Sequence, residues 1–310
     1  MKIIFMGTPD FSVKTLEALI ESKHEIVLVV TQPDKPKGRS KALQPSPVKI
    51  SALKHSIPVF QPKRIREQVA VDELKRYQAD VMVVVAFGQI LPKVVLEMTP
   101  YGCINVHASL LPAYRGAAPI QWPIINGDAK TGITIIKMDE GVDTGDMILK
   151  EEIPIDSEET GASLHDELAT IGAKLCVRAL LQIEDGTANY QAQGKATTPY
   201  AKMLTKEMGK VDWAKSAVEI ERLVRGLNSW PGVYTILDGK ELKIWKSQVV
   251  EVTKETAQIG AIAYIDKDSI IIQTGMGQLK LLEIQLPGKK RMTVDAFLRG
   301  HKLDVGVILG

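Results

Sequence analysis

Four short apolar runs, separated by helical patterns, dominate the N-terminal third of the chain. The runs cover residues 3–6, 26–30, 81–85 and 102–106. A continuous apolar run of this length is typical of a strand that is buried on both faces of a sheet. Helical patterns begin at Ser12 and near residue 65. This alternation predicts a Rossmann-like α/β fold, a mostly parallel sheet with helices on both faces and right-handed crossovers.

The pattern changes in the C-terminal third. A long helix is predicted over residues 163–183 and another over 216–226, with a polar stretch between them. Short β-like segments then follow, punctuated by Gly and Asp, at 233–237, 242–245, 258–265, 270–274 and 279–284. They predict a small β-barrel of the OB-like kind. Since 310 residues exceed one ordinary core, we expect an α/β domain over 1–186, a linker over 187–207 and a β domain over 208–310.

Charge and cysteine content exclude several protein classes. The 39 Lys and Arg nearly balance the 37 Asp and Glu, so the total charge gives no indication of a polyanionic partner. The segment 205–310 is mildly basic, with 16 cationic and 13 anionic side chains. The two cysteines form no CxxC pair and the five histidines have no metal-ligand spacing, which argues against a disulfide framework or a zinc site. With no signal-peptide pattern and no membrane-length apolar run, we expect a cytoplasmic protein.

Two polar residues at the end of the fourth apolar run are the first candidates for chemistry. Asn105 and His107 are two positions apart, so an extended chain projects both side chains to one side. In an open α/β sheet, ligands bind outside the carboxyl ends of the strands. An amide and an imidazole that converge there can stabilise a developing oxyanion or transfer a proton. The alternative for His107 is a hydrogen-bonded structural histidine.

An acidic, glycine-rich turn over residues 139–146 lies between two further apolar segments. It is either a solvated hairpin turn or the source of an Asp that orients His107 or accepts a proton. The spacing does not match a calcium loop of the EF-hand type. The sequence also contains no GxGxxG, GxxxxGK[ST], HExxH or GxSxG motif, which leaves dinucleotide binding, P-loop chemistry, zinc proteolysis and serine hydrolysis without support.

The segment 31–48 is unusual because it combines four prolines with four cationic residues. We expect a long loop without regular structure, of a length that is uncommon unless it is functional or disordered. Its cationic side chains repel one another unless an anion lies nearby, so the alternatives are an anion-binding loop and a solvated flexible one. The cationic residues are Lys35, Lys37, Arg39 and Lys41.

Four stretches of the sequence resemble the folate-dependent formyltransferase superfamily, and the resemblance covers essentially the whole chain. They are MGTPDFSVKTLEAL at 6–19, TQPDKPKGRSKALQPSPVK at 31–49, NVHASLLPAYRGAAPIQWPIINGD at 105–128 and DEGVDTGD at 139–146. The resemblance implies transfer of the formyl group of 10-formyltetrahydrofolate, without a metal, to the α-amine of methionine carried by initiator tRNA. It also implies catalytic roles for Asn105, His107 and Asp143.

The resemblance further implies two sets of binding residues and a β domain that binds tRNA. Because the sequence has no obvious coiled coil, we expect a monomer. The folate contacts would be Phe87, Gly88, Gln89, Ile90 and Leu91, largely through the backbone, with Ser109, Leu110, Leu111 and Pro112. The tRNA contacts would be Lys35, Lys37, Arg39, Lys41 and Lys206.

Two alternative functions remain open from the sequence. One is a formyltransferase that acts on a small amine, either an amino sugar nucleotide or glycinamide ribonucleotide. The other is a tRNA-binding protein without catalytic activity, against which the presence of Asn105, His107 and Asp143 argues.

Overall fold

The computed structural model describes residues 1–37, 42–250 and 257–310, which form two compact units. The first unit comprises Met1–Pro119, Lys130–Pro154 and His165–Ala201, and the second comprises Ile120–Ala129, Ile155–Leu164 and Lys202–Gly310. The division into functional domains at residues 186 and 208 stays a prediction.

The described residues contain strands and helices in the following order. They are β1 (Lys2–Gly7), α1 (Phe11–Glu21), β2 (Glu25–Val30), β3 (Lys35–Lys37), β4 (Ala42–Gln44), α2 (Pro47–Lys54), β5 (Val59–Phe60), α3 (Gln68–Lys75), β6 (Val81–Val85), α4 (Lys93–Leu96), β7 (Cys103–His107), α5 (Gln121–Asn126), β8 (Lys130–Lys137), β9 (Met147–Pro154), α6 (Gly161–Glu184), α7 (Ala217–Gly226), β10 (Val233–Leu237), β11 (Lys240–Val250), β12 (Ile262–Ile265), β13 (Ile270–Gln273), β14 (Gln278–Gln285), β15 (Met292–Thr293) and α8 (Val294–Leu298), with a 3-10 turn at Glu207–Gly209.

The first unit is built on a seven-stranded sheet in the order β5-β2-β1-β6-β7-β8-β9. The four predicted apolar runs are β1, β2, β6 and β7, and these strands pair in parallel. The Rossmann-like prediction is therefore confirmed. Strands β8 and β9 pair antiparallel to their neighbours, which turns one edge of the sheet into a hairpin.

Helices cover both faces of this sheet, as predicted. On one face, residues of α3 and α4 share a buried cluster with Ile4, Met82 and Cys103. On the other, Gly172 of α6 lies so close to Val106 that a Cβ at position 172 would stand 2.9 Å from a Val106 methyl. Because side chains alternate along a strand, Val106 faces away from Cys103, and Asn105 and His107 share the Cys103 face.

The expectation of an irregular loop over 31–48 is wrong. Strands β3 and β4 pair antiparallel, with Lys35 opposite Gln44, and α2 begins at Pro47. Proline is tolerated in such an isolated ribbon, which has edges on both sides, and it is favoured at the first position of a helix. Residues 38–41, between the two strands, lie outside the described part of the chain.

The second unit contains an antiparallel sheet in the order β10-β11-β14-β13-β12, with β15 paired to β14. The predicted C-terminal β domain is thus confirmed as an antiparallel sheet. The chain's last residues bond to both end strands, since Gly310 N donates to Ile236 O and Ile262 N donates to Val307 O. Helix α7 begins with a capping box formed by Ser216 and Glu219. In the described residues, no helix is both long enough and apolar enough to span a membrane.

Candidate active site

Three side chains predicted to be catalytic converge at the end of β7. Asn105 and His107 are buried, with 9% and 5% of their surface exposed. Asn105 Nδ2 and His107 Nδ1 each lie 3.5 Å from the same oxygen, Oδ1 of Asp143. The period-two spacing on β7 accounts for the shared direction of the amide and the imidazole.

Asp143 occupies the tight turn between β8 and β9. Asp139 Oδ1 accepts hydrogen bonds from Gly141 N at 3.0 Å and Thr144 Oγ1 at 2.6 Å, which folds the turn onto itself. Gly145 packs against the Lys137 carbonyl so closely that a Cβ would stand 1.9 Å from that oxygen. Asp143 itself has φ +54°, in the left-handed region, which is unfavourable for a residue other than Gly unless its surroundings hold it.

Both carboxylate oxygens of Asp143 have partners within the first unit. Oδ1 faces Asn105 and His107, and Oδ2 accepts a hydrogen bond from Gly116 N at 2.9 Å. The side chain is 15% exposed. The carboxylate therefore has a fixed direction and still reaches solvent or a bound molecule.

The contacts of His107 assign the roles of its two ring nitrogens. Nε2 lies 3.1 Å from the Tyr114 carbonyl oxygen, which only accepts, so Nε2 carries a proton. The other ring nitrogen, Nδ1, faces Asp143. In the uncharged ring Nδ1 is therefore a hydrogen-bond acceptor, and it faces the carboxylate oxygen at 3.5 Å.

The loop that follows β7 is held from strand β8 and from strand β9. Thr134 Oγ1 donates to Ser109 O at 2.7 Å and accepts from Leu111 N at 3.1 Å. Lys150 Nζ donates to Leu111 O at 2.6 Å. Ser109 is fully buried, and its hydroxyl donates to Ala113 O at 2.6 Å. The backbone of this loop is therefore fixed from both directions.

The loop that follows β6 leaves the same edge of the sheet, because β6 and β7 are parallel neighbours. Its Phe87 carbonyl accepts hydrogen bonds from Thr8 Oγ1 at 3.0 Å and Gln32 Nε2 at 3.2 Å. Gln89 is tied to Ile65 N at 2.7 Å through its side-chain oxygen. An open groove of about 410 Å³ borders this loop at Gly88–Ile90 and carries three exposed cationic side chains on its other side, Lys63, Arg64 and Arg66.

The residues predicted to contact folate differ in exposure. Phe87, Leu91, Ser109 and Leu111 are buried, so their side chains shape the two loops from beneath. Ile90 is 82% exposed and Gly88 is exposed, while Gln89, Leu110 and Pro112 are half-buried. The surface available to a ligand along these loops is therefore mostly backbone, together with the side chains of the exposed and half-buried residues Gln89, Ile90, Leu110 and Pro112.

The residues predicted to contact tRNA are only partly described. Lys35 on β3 and Lys206 before the 3-10 turn are exposed. Arg39 and Lys41 lie outside the described residues, and Lys37 is described in its backbone only. Within 1–37, 42–250 and 257–310, no group of three or more His, Cys, Asp or Glu side chains could hold a metal ion.

Sequence reasoning missed several residues that hold the candidate site together. They act through backbone atoms or through contacts far away in sequence, which no local pattern indicates. They are Tyr114, Gly116, Thr134, Lys150 and Gln193. The side-chain amide of Gln193 donates to the carbonyls of Asp143 and Gly145.

Comparison with known proteins gives the family. The model of the formyl transferase family matches residues 1–180, and that of the formyl transferase C-terminal domain matches 203–302. The methionyl-tRNA formyltransferase of Agathobacter rectalis is 56% identical over 306 residues, which are 99% of this chain and 98% of the relative. That of Lachnospira eligens is 52% identical over the full length of both. The chain belongs to the methionyl-tRNA formyltransferase family.

Membership of this family confirms the resemblance found in the sequence, and with it a folate-dependent formyltransferase. Solved structures agree at the level of the fold. WlaRD, a sugar 3N-formyl transferase crystallised in the presence of dTDP and 5-N-formyl-THF, is 20% identical with a TM-score of 0.68, and the match covers 94% of this chain and 99% of WlaRD. At that identity the likeness to WlaRD concerns architecture alone.

Proposed function

We propose that this formyltransferase moves the formyl group of 10-formyltetrahydrofolate to the α-amino group of methionyl initiator tRNA, with Asn105, His107 and Asp143 as its catalytic residues. The observation that carries the proposal is the convergence of Asn105 Nδ2 and His107 Nδ1 on Asp143 Oδ1, both at 3.5 Å. The relatives that match over the full length are named for the same reaction.

Asn105 supplies the hydrogen-bond donor in this mechanism. Its amide has two N–H groups, of which Asp143 takes one. The second is available for the formyl oxygen, where negative charge develops as the amine attacks. A donor fixed by a buried strand needs no reorganisation when that charge appears, which is the main advantage of such a site over water.

His107 and Asp143 manage the proton that the attacking amine must lose. A free α-amine has a pKa of roughly 7.7–8.0, so a useful fraction is already neutral and no strong base is needed before attack. The surplus proton passes to His107 Nδ1 and Asp143 Oδ1, which lie 3.5 Å apart. It is returned to N10 of the folate as the bond between N10 and the formyl carbon breaks and tetrahydrofolate leaves. His107 Nε2 keeps its own proton throughout the reaction, and the N–H donates to the Tyr114 carbonyl oxygen.

The formyl donor fits the two loops at the edge of the sheet. 10-Formyltetrahydrofolate supplies an activated one-carbon group and, at its other end, carboxylates. We place its pterin along Phe87–Leu91 and its middle against Ser109–Pro112, where the backbone is fixed by Thr8, Gln32 and Thr134. The cationic side chains Lys63, Arg64 and Arg66 border the groove beside Ile90, where they would attract carboxylates.

For tRNA, the proposal uses exposed cationic side chains in both units. Lys35 and Lys206 are exposed, and the same role is proposed for Lys37, Arg39 and Lys41 from the resemblance. Cationic side chains bind phosphates largely without regard to sequence. They would therefore supply affinity for tRNA, whereas the recognition of the initiator species is a separate property.

We also propose that the enzyme acts as a monomer in the cytoplasm, where its tRNA substrate serves translation. Cys103 and Cys176 are free and buried. Burial raises the pKa of each thiol to about 12, so neither is a reactive thiolate at neutral pH. Light scattering should give a mass near 34.0 kDa, and a dimer mass would contradict the monomer.

The test is a formylation assay with three acceptors: methionyl initiator tRNA, methionyl elongator tRNA and free methionine. We expect rapid formylation of the first and little of the others. Formylation of small amines alone, with folate still bound, would favour the small-amine alternative. No formylation of any acceptor, with tRNA still bound, would favour the non-catalytic alternative.

A further inference from the structure

The segment predicted as a linker contributes to the candidate active site. Gln191 and Met147 exchange two backbone hydrogen bonds, at 2.8 and 2.9 Å. Ten residues later, Ala201 N donates to Arg115 O at 2.8 Å and Ala201 O accepts from Ala117 N at 2.8 Å. Residues 191–201 therefore run from the strand that follows Asp143 to the loop that contains Gly116, all within the first unit.

Gln193 lies inside this segment, and its side-chain amide bonds both to the turn that contains Asp143 and to Arg115 in the loop that contains Gly116. Its Nε2 donates to Asp143 O at 2.8 Å and to Gly145 O at 2.7 Å. Its Oε1 accepts from Arg115 Nε at 3.0 Å and from Arg115 Nη2 at 2.8 Å. Because guanidinium only donates, Arg115 fixes which end of the Gln193 amide faces the two carbonyls.

The Asp143 turn needs such support. Asp143 has φ +54°, a left-handed conformation that residues other than Gly adopt rarely and keep only when the surroundings hold it. Its carboxylate is held by Gly116 N, the residue next to Arg115. Gln193 thus joins the backbone of Asp143 to the same loop that holds its side chain.

We infer that Gln193 is a positioning residue that fixes Asp143 relative to Asn105 and His107, with Arg115 orienting the Gln193 amide. The inference relies on the catalytic role proposed for Asp143. Both contacts of Asp143 Oδ1 are 3.5 Å long, so a small displacement of the turn breaks them. A misplacement of about 1 Å in a catalytic group can lower the rate about 10²-fold.

The decisive variant is Gln193→Glu. A carboxylate keeps both acceptor positions for Arg115 but has no N–H for the carbonyls of Asp143 and Gly145, which it repels. We expect kcat to fall about 10²-fold while the KM values for folate and tRNA stay unchanged. The matched control is Gln191→Glu, the same change on an exposed residue of the same segment that bonds through its backbone; its kcat should equal that of the wild type.

A double variant separates positioning from general damage. If Gln193 acts through Asp143, then Gln193→Glu lowers kcat no further in an Asp143→Asn background, because residues that act as a unit are not additive. The full loss repeated in that background would overturn the inference, as would wild-type kcat in the single variant.

A measurement independent of catalysis completes the test. The Gly116 amide donates to Asp143 Oδ2, so its hydrogen exchange should accelerate in Gln193→Glu and stay at the wild-type rate in Gln191→Glu. Unchanged exchange at Gly116 in Gln193→Glu would overturn the inference. Failure of the wild type to formylate methionyl-tRNA would overturn the proposed function instead, and the exchange experiment would still decide whether Gln193 holds Asp143.

Discussion

At the scale of single residues, Asn105 and His107 should be needed for turnover but not for folding. Neither fills a gap in the apolar core, and each lies at the carboxyl end of β7 beside Asp143. Losing one hydrogen-bond donor to a developing oxyanion costs about 10²–10³-fold in rate at comparable sites. We expect Asn105→Ala to lower kcat by at least that factor. His107→Ala, which removes the group that takes up the amine proton, should lower kcat by about 10²–10⁴-fold; both are measured by single-turnover formyl transfer.

The control for both variants is Asn189→Ala, the same truncation at an exposed position of the first unit. It should keep full activity, and all three proteins should melt within a few degrees of the wild type. Wild-type turnover in both Asn105→Ala and His107→Ala would remove the catalytic assignment.

The residues of the candidate site differ in how far the sequence reveals them. Asn105 and His107 could be paired from their spacing because strand geometry fixes their shared direction. The sequence alone favours a solvated hairpin turn around Asp143, and only the resemblance singles out this residue among the acidic residues of the turn. Gln193 is fifty positions beyond Asp143 along the chain and carries no local signal, since its role depends on how a nonregular segment folds back.

At the scale of elements, strand β8 holds the loop that follows β7, and two threonines of β8 give a matched comparison. Thr134 and Thr131 are both buried. Thr134 Oγ1 bonds to Ser109 O and Leu111 N, whereas Thr131 Oγ1 has no hydrogen-bond partner among the described residues. Thr134→Val should cost about 1–3 kcal/mol of unfolding free energy, because it leaves buried polar groups unpaired. Thr131→Val should be neutral or stabilising.

Urea denaturation of both variants measures this difference. An equal loss of unfolding free energy in Thr134→Val and Thr131→Val would mean that the hydrogen bonds of the Thr134 hydroxyl do not stabilise the fold. Thr134→Val should also raise the KM for folate, since the backbone of Ser109–Pro112 loses its fixed position, while Thr131→Val should leave that KM unchanged.

The β3–β4 ribbon offers a second prediction at this scale. Lys49 Nζ bonds to Asp34 Oδ2 at 2.7 Å and to Gln61 Oε1 at 2.8 Å, which joins the two ends of the ribbon. The hydrogen bond from Lys49, with one from Gln61, lowers the pKa of the Asp34 carboxyl, so this carboxylate stays charged at neutral pH. Lys49→Met should raise the KM for tRNA and leave the KM for folate unchanged.

The control is Lys54→Met at the exposed end of α2, which removes the same charge without opening the ribbon. If both variants raise the KM for tRNA equally, the charge alone matters and the bridge at the base of the ribbon does not.

Regular elements were predictable where periodicity is strong, and the exceptions have physical causes. The parallel strands, α6, α7 and most C-terminal strands follow from apolar patterns. The ribbon was missed because three-residue strands with a proline lack any period. The sequence showed the apolar segments of β8 and β9 and offered a hairpin turn between them, but it did not show that β8 joins the sheet antiparallel to β7.

At the scale of the whole molecule, binding of tRNA should depend far more steeply on ionic strength than binding of folate. The chain is nearly neutral in total, but its last 106 residues carry 16 cationic against 13 anionic side chains. Each phosphate neutralised releases condensed counterions, which makes log K fall with log salt by roughly 0.7–0.9 per contact. We expect kcat/KM for methionyl-tRNA to fall steeply with added NaCl, while the folate dissociation constant rises only by the screening of its few carboxylate contacts.

Single charge removals assign the slope to particular residues. Lys35→Ala and Lys206→Ala should each reduce the salt slope for tRNA by about one unit, as expected for a lost phosphate contact. Lys174→Ala, on the exposed surface of α6, removes the same charge elsewhere and should leave the slope at the wild-type value. An equal reduction in all three variants would mean that tRNA responds to net charge rather than to these two lysines. A wild-type slope in Lys35→Ala and Lys206→Ala would remove both from the tRNA-binding surface.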